Sequence, residues 1–176
     1  MKKIFLLICI SLLNLGCNTS KNITTTTKNN SEDLMGVVTK DNFLAEPYNE
    51  WFSYNYNDYK LNNDVILKLN PLLKGITIKS FMGTWCGDSQ EQVPIFYKIL
   101  DKANFNYNNL ELIALNRARK TINNLQEGFN IIRVPTFIFY KNKKEIGRIV
   151  EYPRENIEKD ILTIISGKPY KHSYQD

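Results

Sequence analysis

Ile76-Thr77-Ile78-Lys79-Ser80-Phe81-Met82-Gly83-Thr84-Trp85-Cys86-Gly87-Asp88-Ser89 is the stretch on which the reading of this chain turns. Ile76, Ile78 and Phe81 suit a buried central strand that ends near Gly83. Ser89–Ala103 then reads as a helix, with Val93, Phe96, Tyr97, Ile99 and Leu100 on a broad apolar side and Pro94 as an internal irregularity. Cys86 therefore falls at a helix mouth. Unpaired backbone N–H groups and the helix field favour negative charge there, so the position suits a nucleophilic sulfur. Ser89, three residues on, is placed to donate a hydroxyl hydrogen bond to that sulfur. Asp88 either caps the first turn or sets an opposing charge beside the sulfur, and Trp85 offers an apolar wall. Ser89 also stands where a second thiol would complete a redox pair. A sulfur at Cys86 can attack a disulfide, but Ser89 cannot release the adduct as an internal disulfide. The competing reading is a small buried cysteine with packing duties alone.

Downstream the chain keeps a βα rhythm. Leu110–Leu115 is a second strand, Lys120–Gln126 a short helix, and Thr136–Tyr140 with Glu145–Val150 an antiparallel edge hairpin around the polar turn Lys141–Lys144. Arg154–Ile165 is a closing helix ended by Gly167, and the tail from Lys168 is expected to fray. Strand–helix–strand–helix–strand–strand–helix gives a mixed α/β sheet covered on both sides, as strands apolar on both faces require. Upstream, Leu34–Val38 is a short first strand or edge cover. Tyr48, Trp51, Phe52, Tyr56 and Tyr59 recur at near-helical spacing, and Asp64–Lys74 is a helix bent or restarted at Pro71, with Gly75 as its terminator.

The N-terminus is of a different kind. Lys2 and Lys3 precede an apolar run from Ile4 to Leu15, too short for a comfortable bilayer span, and Gly16-Cys17 follows. Residues 1–16 read as an export signal. A small residue before a cysteine at the end of such a run resembles the bacterial lipoprotein processing site, which makes Cys17 the lipidated first residue; Asn14 departs from the usual aliphatic residue three places earlier. Residues 17–33 are then a lipidated, Asn/Thr/Lys-rich tether with too little apolar surface to offset its ordering entropy, 34–167 a single domain, and 168–176 a tail. Cys9 leaves with the signal and Cys17 is consumed by lipid, so Cys86 is the remaining thiol.

Charge excludes more than it assigns. The formal balance is +5, and without Lys2 and Lys3 it falls to +3, with 21 basic and 18 acidic residues scattered among one another. Nothing there suits a nucleic acid. His172 is the sole histidine, no His/Cys/carboxylate set suits a metal or haem, and no glycine-rich loop suits a phosphate, so neither a cofactor nor a metal is expected. Glu91, Glu127 and Arg119 read as solvated surface.

A second motif lies far along the chain. Arg133-Val134-Pro135-Thr136 leads into the strand at Phe137, and a proline there marks a lead-in loop rather than a central ladder. A cis bond before Pro135 would present the backbone of Val134 to an extended partner, and Arg133 is a candidate for orienting that loop. Trp-Cys-Gly-Asp-Ser and Val-Pro-Thr, separated by a βα unit, resemble the thioredoxin superfamily over about residues 35–166. The resemblance implies a three-layer sandwich with a mixed central sheet and helices on both faces. It also implies a shallow groove with Trp85, Cys86, Gly87 and Asp88 on one wall and Val134, Pro135 and Thr136 on the other. Ser80 departs from the family at a strand position where many members carry a buried acid, as Ser89 does at the second thiol. Cys86 and Ser89 are the expected catalytic pair.

The expected function is monothiol exchange through Cys86 with a disulfide- or thiol-containing envelope protein, or with a small thiol, at a membrane reached through the lipid on Cys17. The alternative is a non-enzymatic module binding a peptide or protein in the same groove. A peroxidase is a weaker reading, because no arginine or threonine falls convincingly beside Cys86.

Overall fold

A computed structural model of the chain describes residues 33–175; the expected signal, Cys17 and nearly all of the tether lie outside the described residues. Five strands form one sheet in the order β1-β3-β2-β4-β5: β1 (Gly36–Val38), β2 (Ile76–Met82), β3 (Leu110–Ala114), β4 (Thr136–Lys141) and β5 (Lys144–Val150). β2 and β3 run parallel, and the β1–β3, β2–β4 and β4–β5 pairs are antiparallel. The sheet is mixed, as expected. Leu34–Val38 supplies both an edge strand and, through Leu34 and Val38, part of the core.

Four helices bury their apolar sides against one face: α1 (Asn49–Asp58), α2 (Asn63–Leu72), α3 (Gly87–Lys102) and α4 (Ile157–Ile165). Phe52 of α1 lies under Phe43 at 5.5 Å between centroids and against Tyr97 of α3 at 5.9 Å, while Tyr54 on the other side of α1 is exposed. Phe96 of α3 stacks on Phe137 of β4 at 4.2 Å, tying the helix that carries the cysteine to the strand that follows the proline loop. Pro94 cannot donate to the Gln90 carbonyl four residues back, and Asn55 Nδ2 of α1 takes that acceptor at 3.1 Å. Pro71 falls in the last turn of α2, so the helix ends there without restarting, and Gly75 adopts φ +78° just beyond it.

Three expectations change. Lys120–Gln126 is a run of turns, not a helix. Asn116 Oδ1 accepts from the N–H groups of Ala118 and Lys120, and Gln126 Oε1 from Thr121, so short polar side chains take the donors a helix would use. The third layer is still supplied by this region: Leu125, Phe129 and Ile131 cover Phe81, Ile113 and Ile138 on the second face of the sheet. The β4–β5 turn narrows to Asn142 and Lys143, both with positive φ, the geometry that matches the twist of paired strands. The tail does not fray. Tyr170 donates to Asp160 Oδ2 at 2.7 Å, and His172 is buried, because the tail's rings find apolar and polar partners that a pattern of local spacing does not reveal. Among the described residues no helix is long and apolar enough to cross a membrane.

Candidate redox site

β2 delivers Gly83 to the C-terminal edge of the sheet, where a tight turn closes from Cys86 N–H to the Gly83 carbonyl at 3.0 Å. Cys86 is the N-cap of α3, with extended backbone, and its carbonyl accepts the first helical bond from Gln90 N–H at 2.9 Å. Its side chain makes no cap bond, so the first-turn N–H groups remain directed at the mouth where the sulfur sits. Cys86 is half-buried and is the free cysteine among the described residues.

The opposite wall is the loop before β4. The Val134–Pro135 bond is cis, and the Val134 carbonyl accepts from Cys86 Sγ at 3.3 Å. Val134, Pro135 and Thr136 are all buried, and the Thr136 hydroxyl donates to the Arg133 carbonyl at 2.7 Å, closing the loop on itself. The two motifs, 48 residues apart in the chain, thus meet at the sulfur.

Trp85 is fixed rather than free. Its Nε1 donates to the Leu115 carbonyl at 2.8 Å, and its ring carries the Arg117 guanidinium at 5.6 Å. Gly83 is what lets the ring lie there: a Cβ at that position would come within 2.5 Å of Trp85 Cε2. Sequence reading used Gly83 only as a strand end, although a glycine two residues before a bulky aromatic was a signal for close approach. Gly87 is exposed, with open space around it.

Asp88 and Ser89 divide differently from expectation. Asp88 Oδ2 lies 3.7 Å from Cys86 Sγ, so its carboxylate faces the sulfur rather than capping the turn. Ser89 is fully buried, and its Oγ accepts the Gly83 N–H at 3.2 Å. The expected Ser89–sulfur hydrogen bond is replaced by this one: Ser89 sits on the inward side of α3 and braces the turn from within. Ser80 is also fully buried, on the helix-covered face between Ile78 and Met82, and its Oγ has no hydrogen-bond partner.

One residue near the site, Glu151, was not found from the sequence. Glu151, directly after β5, donates its N–H to the Pro135 carbonyl at 2.7 Å and sets its carboxylate 3.8 Å from Arg133 Nε. Burial pushes the Glu151 carboxyl up, Asp88's charge adds to this, and Arg133 opposes it. Arg119 is exposed, as expected.

A parallel–antiparallel sheet under four helices, with a cysteine at a helix mouth facing the residue before a cis-proline, defines a thioredoxin-like protein. A profile of the thioredoxin family matches residues 41–163, and the chain belongs to that family. It is 30% identical over 100 residues to Thioredoxin-like protein R548 of Acanthamoeba polyphaga mimivirus, a match covering 57% of this chain and 70% of the viral one. It is 27% identical over 94 residues to Thioredoxin H9 of Arabidopsis thaliana, covering 53% and 63% respectively. A solved structure of a Pseudomonas aeruginosa protein of unknown function shares the fold, with a TM-score of 0.57 at 16% identity over 73% of this chain and 91% of that one. Thioredoxin-like redox chemistry is the functional class these relatives support.

Proposed function

We propose that the chain is an exported, lipid-anchored thioredoxin-like protein that performs thiol–disulfide exchange with one sulfur, Cys86. The observation that carries the reading is the contact between Cys86 Sγ and the Val134 carbonyl at 3.3 Å, at a residue that is only half-buried. In the first step the deprotonated sulfur of Cys86 attacks one sulfur of a partner disulfide; a mixed disulfide forms and the partner's other sulfur leaves as a thiolate. In the second, a thiol from outside attacks the mixed disulfide, takes the partner sulfur and returns Cys86 as a thiolate. Ser89 cannot take that part, being a buried hydroxyl rather than a thiol. Val134 and Thr136 frame the backbone wall along which an extended peptide lies, with Trp85 as the fixed apolar flank and Gly87 as open space at the helix start.

The anchor is supported by the sequence: the Lys2-Lys3 pair, the apolar run to Leu15, and Gly16-Cys17 before a polar tether. The partner is then an envelope protein or small thiol near the membrane surface.

Trapping in cells tests the reading. Native chain is expected to yield mixed disulfides that vanish on reduction and are absent from Cys86→Ala. A Cys86→Ala chain that turns over disulfides at the parent rate overturns it. Partner capture that survives intact in Cys86→Ser, with no mixed disulfide in the native chain, instead supports a non-enzymatic binding module; Ser89 in place of a second thiol is the feature that favours that second reading.

A further inference from the structure

We propose that Tyr174 of the C-terminal segment is a positioning residue, holding the Arg133–Thr136 loop in register for an extended cysteine-containing peptide. This rests on the exchange reading above and names the part of the site that separates peptide substrates from small disulfides.

A chain of contacts runs from the tail to the sulfur. The Tyr174 hydroxyl donates to the Glu151 carboxylate, and its ring lies 5.4 Å from the Arg133 guanidinium carbon and 5.9 Å from the Tyr152 ring. Ser173 Oγ donates to the Tyr152 carbonyl at 2.9 Å. Glu151 connects onward through its N–H to the Pro135 carbonyl and through its carboxylate to Arg133. Arg133 in turn accepts the Thr136 hydroxyl at its carbonyl. Val134, whose carbonyl meets Cys86 Sγ, lies between Arg133 and Pro135, so its neighbours on both sides are held by this cluster. Glu151 takes φ +63°, a backbone region that side-chain-bearing residues rarely occupy and that clusters at functional sites.

The tail itself is anchored behind the groove. Tyr170 donates to Asp160 of α4, and the Tyr174 N–H donates to Nδ1 of buried His172 at 3.1 Å. Tyr174 is therefore presented by a fixed backbone, not by a loose end. A small disulfide needs only the sulfur. An extended peptide also needs the backbone of Val134 at the right height and angle, which is what the Arg133–Glu151–Tyr174 cluster sets.

The test compares two probes on the full chain: dithiodipyridine, and an extended peptide whose one cysteine carries a thiopyridyl group. Both reactions join Cys86 sulfur to the probe and release thiopyridone, so nucleophile and leaving group are shared; the Cys86→Ala rate is subtracted. Tyr174→Ala is expected to slow peptide capture about tenfold or more while leaving the small probe within about twofold, since misplacement acts only on a substrate that uses the loop. Tyr174→Phe keeps the ring on Arg133 and should fall between. Parallel slowing of both probes, or no change in either, overturns the proposal. Amide hydrogen exchange at Glu151 gives a readout independent of Cys86 chemistry: it should quicken in Tyr174→Ala, with Phe137 and Ile138 unchanged. A native chain reacting with neither probe would remove the exchange reading alone; unchanged Glu151 protection in Tyr174→Ala would then remove this one.

Discussion

At the residue scale the site is a set of opposed placements around one sulfur. The α3 mouth favours negative charge at Cys86, whereas Asp88 Oδ2 at 3.7 Å opposes it. Asp88 is exposed and solvent-screened, so its effect is modest. Asp88→Asn should raise the rate of Cys86 alkylation by iodoacetamide at neutral pH about two- to fivefold, the size expected of a screened charge pair; a slower or equal rate would mean that the carboxylate does not act on the sulfur. Gly83 makes a stronger demand. A methyl at that position meets the Trp85 ring, which must leave the Leu115 carbonyl or push the turn outward. Gly83→Ala should destabilise the fold by roughly 1–3 kcal/mol in denaturant melts, the range for overpacking at a closed site, and should shift Trp85 fluorescence. Cys86 at a helix mouth facing the Val134–Pro135 loop was legible from two local motifs, because each motif fixes its own backbone. The inward turn of Ser89 was not, since which way a first-turn side chain points depends on what the turn before it needs.

Between elements, one carboxylate junction lies away from the groove. Asp101 of α3 receives hydrogen bonds from Lys40 and Tyr56, both to Oδ2, and from Tyr107 to Oδ1, joining the segment after β1, α1 and the lead-in to β3. Burial alone would raise its carboxyl, but those three bonds outweigh burial and hold it below the usual carboxylate range; Tyr56 is in turn pushed up to about 12 by burial, the Asp101 bond and its charge. A depressed carboxyl contributes stability that is present above its unfolded value and lost as pH falls through its folded one. Asp101→Asn should therefore cost roughly 1–2 kcal/mol at neutral pH, with the gap to the native chain closing in strong acid; equal stability at neutral pH would count against the junction. His172 has the same sign, in a window at higher pH. Burial lowers its value first, Arg148 of β5 adds to this, and Glu145 opposes; Lys171 is its chain neighbour, and Asp160 reaches the tail through Tyr170. The unfolded chain then takes up the proton before the folded one, so stability falls as pH drops through the ordinary histidine value. His172→Gln should flatten that part of the thermal-melt profile, and an unchanged slope would contradict the assignment. The strands and the four helices were readable because apolar and aromatic residues recur at strand or helix periods. The turns over 120–126 and the docked tail were not, because Asn, Gln and Tyr side chains there are satisfied by partners that only the tertiary fold brings near.

At the scale of the whole molecule, a thioredoxin-family domain carrying Cys86 follows an expected lipid anchor and tether. Metabolic labelling with a fatty acid should mark the native chain and not Cys17→Ser; equal labelling of both would remove the anchor without touching the groove. What Cys86 does when a disulfide reaches it decides the functional reading. Full chain mixed with a peptide disulfide, quenched in acid and mapped by peptide mass, tests it most directly. One peptide is expected on Cys86, in an adduct that persists until an outside thiol is added and is absent from Cys86→Ala. An adduct-free Cys86, or an adduct that the chain clears without any added thiol, would contradict it.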